Sequence, residues 1–269
     1  MKPNQKQILL TNDDGILSPG LWAAASALSE LGYVWVVAPN RQYSSAGRSM
    51  PNESDGIIEE RTVHVKGQDW KVYAVGGSPA QVVDYAMLEI LPGKPDLVVS
   101  GINYGENVGT GVTVSGTIGA ALEGATFGVP ALAVSVQLRV IADFLLYGEI
   151  DFSASAFFTR QIARQMLRTS LPGDVDVLKV EVPIQATPQT PCVITRQSRH
   201  RYYESFVRRE NGRHSPAKIG VEIAATLQNT EPDSDVHSLL RGDQVSITPL
   251  SLDLTSRCDL QDLERQLNG

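Results

Sequence analysis

Short uninterrupted apolar runs alternate, along the first half of the chain, with segments whose apolar positions recur every third or fourth residue. QILLT (7–11), YVWVV (33–37), DLVV (96–99) and ALAVSV (131–136) read as strands apolar on both faces, the pattern of parallel sheets covered on both sides. Between the first two, Ser18-Pro19 is a cap-plus-proline start. Leu21, Trp22, Ala25 and Leu28 follow at helical spacing, and Gly32 closes the helix. Ser78-Pro79 repeats the signal for a helix to about Leu91, and a third helix is expected from Ser115 to Phe127. The stretch RTVHVKGQDWKVYAV reads as a hairpin turning near Gly67-Gln68-Asp69. Strand–helix–strand units of this kind close as right-handed parallel crossovers. The expected class is therefore α/β, a Rossmann-like open and mostly parallel sheet with helices on both faces.

Beyond residue 136 the pattern loosens. A helix is expected from Ser153 to Leu171, a strand at 176–182, and another at CVITR. The basic, aromatic stretch RHRYYESFVRRENGRH (199–214) reads as a β-hairpin arm, and the chain closes with VSITPLSLDLT and an amphipathic helix at 259–267. We expect 1–136 to form the catalytic core. Residues 137–269 form an irregular C-terminal elaboration that completes it and carries the arm and terminal helix.

Composition narrows the function classes. With 269 residues, 42% hydrophobic, and a formal net charge of −7, the chain suits a globular fold. It lacks the basic surplus that nucleic-acid binding requires. Val112–Leu138 is the only long low-charge stretch, and Glu123, Pro130 and several glycines break it, so no membrane span is expected. Two distant cysteines, Cys192 and Cys258, offer neither a disulfide framework nor a zinc site. Together with an N-terminus lacking a signal-peptide core, they point to the cytoplasm.

Chemistry is expected beyond the carboxyl ends of the strands, where open sheets bind ligands. After the first strand come Asn12, Asp13 and Asp14; after the second, Asn40, Arg41, Ser44 and Ser45; after DLVV, Asn103 and Asn107; then a helix start at Ser115, Gly116 and Thr117. Carboxylates, amides and hydroxyls are hard oxygen donors suited to Mg²⁺ or Mn²⁺. A divalent cation would also offset the repulsion between adjacent aspartates. Ser-Gly-Thr at a helix N-terminus is a seat for phosphate. A metal beside a phosphate seat points to phosphoester hydrolysis, in which the metal activates water and offsets phosphoryl charge. Each segment alone has a plainer reading: a turn for Asp-Asp-Gly, a helix cap for Ser-Gly-Thr. Their joint occurrence after successive strands favours the site. Arg41 and Arg48 read as solvated loop arginines, His64 as a half-buried strand histidine, and His200, His214 and His237 as weak acid–base candidates.

The stretches ILLTNDDG, VVAPNRQYSSAG, GSPAQVVDYAML, PDLVVSGINYGENVG, VSGTIGAALEGATFGVPALAVS and VSITPLSLDLT together resemble the SurE family of metal-dependent survival-protein nucleotidases. The resemblance spans nearly the whole chain. It implies one divalent cation per subunit held by Asp13, Asp14, Ser44 and Asn103. Asn107, Ser115, Gly116 and Thr117 would bind the substrate, with Asp13 and Asp14 catalytic. The implied activity is hydrolysis of nucleoside 5′-monophosphates, extending to 3′-nucleotides and short polyphosphate. The implied assembly is a homodimer exchanging arms, with pairing into tetramers left open. Three departures stand out. Asn40 replaces an acid and Ser45 a glycine of the family's serine loop, so Ser44 and Ser45 both remain candidates for the ligand. Val114 stands where tyrosine is common, which implies a changed grip on substrate.

Three other readings compete: an inactive oligomeric member that only binds nucleotide or phosphate, a phosphoacceptor receiver domain, and a nucleotide-binding dehydrogenase. The chain is too long for one receiver, and Asn103 stands where an acceptor Asp is needed. A dehydrogenase would need G-x-G-x-x-G where TNDDGILSPG stands.

Overall fold

The computed structural model describes residues 5–65, 67–138 and 150–269. In chain order, β1 (Gln7–Thr11), α1 (Pro19–Leu28) and β2 (Tyr33–Pro39) form the first crossover unit. The hairpin β3 (Ile58–Val65) and β4 (Gln68–Val75) follows, then α2 (Pro79–Tyr85), β5 (Leu97–Tyr104), α3 (Gly116–Thr126) and β6 (Ala131–Val136). The second half adds α4 (Ser153–Met166), β7 (Val177–Val182) and β8 (Cys192–Ile194). It ends with β9 (Tyr203–Arg209), β10 (Ala217–Ile223), α5 (Asp235–Arg241), β11 (Val245–Leu250) and α6 (Leu260–Asn268).

Nine strands make one sheet in the order β3-β4-β2-β1-β5-β6-β7-β11-β8. Pairing is parallel from β4 to β7; β3 and β11 run antiparallel to β4 and β7. Because β2 and β4 lie on one side of β1 while β5, β6 and β7 lie on the other, strand order reverses between β1 and β5. In open α/β sheets, that reversal leaves a crevice at the carboxyl ends of the two strands.

Strand residues alternate between two apolar layers. Ile8, Leu10, Val34, Val36, Leu97 and Val99 pack with Leu21, Trp22 and Leu28 of α1 and Phe158 and Ile162 of α4. Leu9, Trp35, Val37 and Val98 face the other way, onto Val82 and Val83 of α2 and Ile118, Ala121 and Ala125 of α3. Helices therefore cover both faces, as expected. The sheet does not stop at residue 136: β7, β11 and β8 continue it.

Several boundaries differ from expectation. α1 ends at Leu28 with Ser29 as its cap, well before Gly32. A side chain at Gly32 would stand 2.3 Å from the Lys6 carbonyl, so this glycine serves a close backbone approach and not a cap. The second helix reaches Ile90 only by widening into a π-turn at Ala86–Ile90. α4 stops at Met166 with Leu167 as its cap, short of Leu171, the one residue that Pro172 itself bars from helical backbone. The first hairpin begins at Ile58 and pairs Val65 with Gln68, which moves its turn forward to Gly67. The strand begun by DLVV runs on to Tyr104 with a bulge between Ser100 and Asn103. At that bulge Gly101 has φ +127° and lies against the Val134 carbonyl, which would be 2.3 Å from any Cβ.

Candidate functional site

The site begins where β1 ends. Asn12 is fully buried, and its side chain brackets the turn: Oδ1 accepts from Gly15 N and Nδ2 donates to Gly15 O, both at 3.1 Å. Gly15 makes the reversal at φ +93°, which L side chains resist. Ile16 N then donates to Pro39 O, fixing the turn against the end of β2. Asp13 and Asp14 are held at the apex, each only 6% exposed.

Three other segments reach this pair. Tyr43 N, in the loop after β2, donates to Asp13 O at 2.7 Å, and Gln42 Nε2 donates to Asp14 Oδ1 at 3.2 Å. Tyr104 N, at the end of β5, donates to Asp14 Oδ2 at 3.0 Å. Thr117 Oγ1, in the first turn of α3, donates to Asp13 Oδ1 at 2.6 Å. Gly116 allows that approach, since a Cβ there would lie 2.8 Å from Asp13 Oδ2. Ser115 caps α3, its Oγ accepting from Ile118 N. Asn103 donates from Nδ2 to Gly105 O at 2.6 Å, which leaves its Oδ1 as an acceptor for a ligand. Ser44 and Ser45 lie exposed in the turn of the loop after β2, with Ser45 at φ +59°. That loop is docked by Gly47 N on Val114 O at 3.0 Å.

Asn107 is anchored differently. Its Nδ2 donates to Ser135 Oγ at 3.0 Å, and its backbone is held by Glu181 and Lys179 of β7. None of these bonds reaches the acid pair, so Asn107 lies toward β6 and β7 within the same loop. Val114 is 54% exposed at the end of a 3₁₀ turn.

Electrostatics distinguish the pair. Burial raises the Asp13 carboxyl to about 6, against partial relief from Thr117. Asp14 is raised to about 7 by burial and then by the charge of Asp13. Two adjacent carboxylates, an amide oxygen from Asn103 and nearby hydroxyls form a hard oxygen donor set with room made by Gly116. These residues fit a divalent cation, which would remove the penalty that burial imposes on both charges.

Other candidates fall elsewhere. Arg48 is not simply solvated: Nε donates to Glu123 Oε2 of α3 at 2.6 Å, tying the serine loop to that helix. Arg41 stacks over the Tyr43 ring. His64 is exposed, not half-buried, because it lies on the solvent face of the edge hairpin beside Asp69. His200 and His214 are exposed, and His237 pairs with Thr230. Sequence reasoning gave no role to Asn12, and it missed α5 and the buried charges Lys179, Glu181 and Asp235. The signal for the latter was present in VLKVEV, where two charges share one face of an otherwise apolar strand.

Fold and site together define an open α/β protein with a buried acid pair at its strand-order switch. A family model described as "Survival protein SurE" matches residues 8–204. A protein of Thermococcus gammatolerans called "5′-nucleotidase SurE" is 42% identical, the match covering 98% of this chain and 96% of that protein. One of the same description from Archaeoglobus fulgidus is 43% identical over 98% of each. The crystal structure of the SurE protein from Aquifex aeolicus superposes with a TM-score of 0.77 at 32% identity, covering 97% of this chain and 99% of that one. The chain belongs to the SurE family.

Proposed function

We propose that this chain is a divalent-metal-dependent 5′-nucleotidase that hydrolyses nucleoside 5′-monophosphates to nucleoside and phosphate. The observation that carries the reading is the buried Asp13–Asp14 pair at the β1/β5 crevice, contacted directly by the start of α3. The relatives' shared description as 5′-nucleotidases supports the same substrate class.

Asp13, Asp14, Asn103 and Ser44, with Ser45 as the alternative to Ser44, would hold one Mg²⁺ or Mn²⁺ per subunit. When bound, the cation supplies Lewis-acid charge to the phosphoryl oxygens and to the attacking water. At the α3 N-terminus the Gly116 backbone N–H and the Ser115 hydroxyl would meet the phosphate, with Thr117 beside them engaging Asp13. Asn107 has a second amide N–H beyond the one given to Ser135, and this grips a phosphate oxygen. One of the aspartates takes the proton released as water attacks phosphorus in line. Substrates extend to 3′-nucleotides and short polyphosphate, since the groups named address the phosphate and not the base.

The exposed apolar residues Val207 and Ile219 of the hairpin, and Leu260, Leu263 and Leu267 of the fully exposed α6, support a homodimer, with dimers pairing into tetramers as a further step. Among the described residues no helix is long and apolar enough to cross a membrane, and both cysteines are free thiols. Two distant free thiols suit a reducing compartment, and we propose the cytoplasm. The test is phosphate release from a panel of 5′- and 3′-mononucleotides and tripolyphosphate, with Mn²⁺, with Mg²⁺ and with a chelator. Metal-restored release from a 5′-monophosphate supports the reading. No release under any metal would leave only a phosphate-binding protein.

A further inference from the structure

Around β7, two strands from the crevice, lies a second set of charges that the proposed reaction does not use. Lys179, Glu181 and Asp235 are each fully buried, and Glu106 nearly so. Lys179 and Glu181 share one face of β7, and Asp235 opens α5. Lys179 Nζ stands 2.9 Å from Asp235 Oδ2 and 3.6 Å from Glu181 Oε1.

Their hydrogen bonds converge on one short segment. Glu181 Oε2 accepts from Asn107 N at 3.1 Å, and Lys179 Nζ donates to Asn107 O at 3.1 Å. Asp235 Oδ2 accepts from Gly109 N at 3.0 Å. Glu106, one residue earlier, accepts from Leu138 N and from the Tyr203 hydroxyl. Both backbone polar groups of Asn107 are thus held by buried charges of opposite sign. Burying charge costs several kcal/mol per ion, and apolar replacements of buried ion pairs are often as stable or more so. Packing alone would be served by an apolar β7, and Glu181 Oε1 is left without a hydrogen-bond partner among the described residues. The cluster is therefore costly as packing but apt as a clamp.

We infer that Lys179 and Glu181, braced by Asp235, are positioning residues that fix Asn107 so that its amide meets the substrate phosphate. This rests on the proposed role of Asn107 in binding that phosphate. Bonds to charged partners are stronger than neutral ones, so the clamp holds the loop before substrate arrives and lessens the ordering cost of binding.

The test compares Asn107→Ala, Glu181→Gln, Lys179→Gln and the double variant Asn107→Ala/Glu181→Gln. Each is assayed for KM and kcat on a 5′-mononucleotide with Mn²⁺ at about pH 8, above the Glu181 carboxyl that burial pushes up to about 7. Circular dichroism melts establish which variants fold. Glu181→Gln keeps an acceptor for Asn107 N but loses the charge and turns an amide N–H₂ toward Lys179. We expect Asn107→Ala to raise KM roughly ten-fold with kcat little changed, the mark of a lost binding contact. Glu181→Gln and Lys179→Gln should raise KM several-fold. The double variant should be no worse than Asn107→Ala alone, since the clamp acts through that residue. A folded Glu181→Gln and Lys179→Gln with unchanged KM, or a double variant whose effects multiply, would overturn the clamp while leaving the Asn107 assignment standing. An unchanged KM in Asn107→Ala would remove that assignment, and the inference with it. If neither clamp variant folds, the cluster serves the fold alone and the inference fails.

Discussion

Two acidic clusters are buried at the carboxyl edge of one sheet, and they are neutralised in different ways. Around β7, Lys179 lies 2.9 Å from Asp235 and 3.6 Å from Glu181, with Glu106 buried beside Glu181. At the end of β1, Asp13 and Asp14 are held by a hydroxyl, an amide and a backbone N–H. The first cluster carries its cation within the sequence; the second presents oxygen donors into a crevice at the strand-order switch. Burial raises carboxyl pKa values in both places. The lesson is that a buried acid is not itself a sign of a metal seat. The informative feature is which groups satisfy it and whether it faces a ligand crevice.

The most severe way to break the comparison is Asp13→Asn. It keeps the shape and an acceptor for Thr117 but removes one of the two charges. Turnover on a 5′-mononucleotide should fall by about 10³-fold, corresponding to about 4 kcal/mol. The fold should stay intact, and the metal-free protein should melt higher, since Asp14 is raised partly by the charge of Asp13. Phosphate release and a melt in chelator read both effects; near-normal turnover would sink the acid pair as the catalytic seat.

The β7 cluster is tested by pH. Glu181 titrates near 4.5 when unfolded and is raised to about 7 in the fold by burial. A carboxyl raised by folding binds its proton more tightly in the native state. Its contribution to stability is therefore full below about pH 4.5 and is lost as pH rises toward 7. Asp13, Asp14 and Asp84 are raised into the same window, so the difference between wild type and Glu181→Gln isolates one group. Denaturant unfolding should show Glu181→Gln escaping a loss on the order of 3 kcal/mol between those limits. Parallel curves would mean that Lys179 holds Glu181 ionised throughout.

Adding Mn²⁺ separates the clusters with a smaller effect. At a hundred-fold excess over its dissociation constant, a cation that binds only the native state stabilises by about 2.7 kcal/mol. The melting temperature of wild type should rise accordingly, that of Glu181→Gln by the same amount, and that of Asp13→Asn much less. An equal rise in all three would place the cation elsewhere.

The acid pair was legible in the sequence and the β7 cluster was not, for physical reasons. Asp13 and Asp14 follow directly on an apolar strand, and strand ends are where ligands sit, so local pattern sufficed. The partners of Lys179 come from Asn107 and Asp235, which are 72 and 56 residues away, and no local period encodes such a meeting. Strand existence was equally local, since β1, β2 and β6 each carry a run of buried apolar residues at their centre. Helix ends were read less well, because Gly32 looked like a stop when its real constraint was the carbonyl of Lys6. The β5 bulge that carries Asn103 to the crevice was invisible for the same reason. Gly101 answers to the backbone of β6, far along the chain.

Ser45 offers the mildest change and a sharper view of the acid pair. It is the only non-glycine described residue with positive φ, at +59°, in the loop whose neighbours Gln42 and Tyr43 contact Asp14 and Asp13. Left-handed backbone costs a residue with a Cβ about 1 kcal/mol relative to glycine. Glycine also gains freedom in the unfolded chain, which returns part of that difference. Ser45→Gly should therefore stabilise by no more than about 1 kcal/mol, a rise of a few degrees in melting temperature for a chain of this size. Its catalytic effect decides between the two serines. If Ser44 completes the oxygen donor set, Ser45→Gly leaves turnover and its Mn²⁺ dependence unchanged, while Ser44→Ala weakens both. If Ser45 is the ligand, the glycine variant gains stability and loses metal affinity together. The strain in the loop would then be the cost of aiming a hydroxyl at the cation, a burden that the β7 cluster, with its cation built in, does not bear.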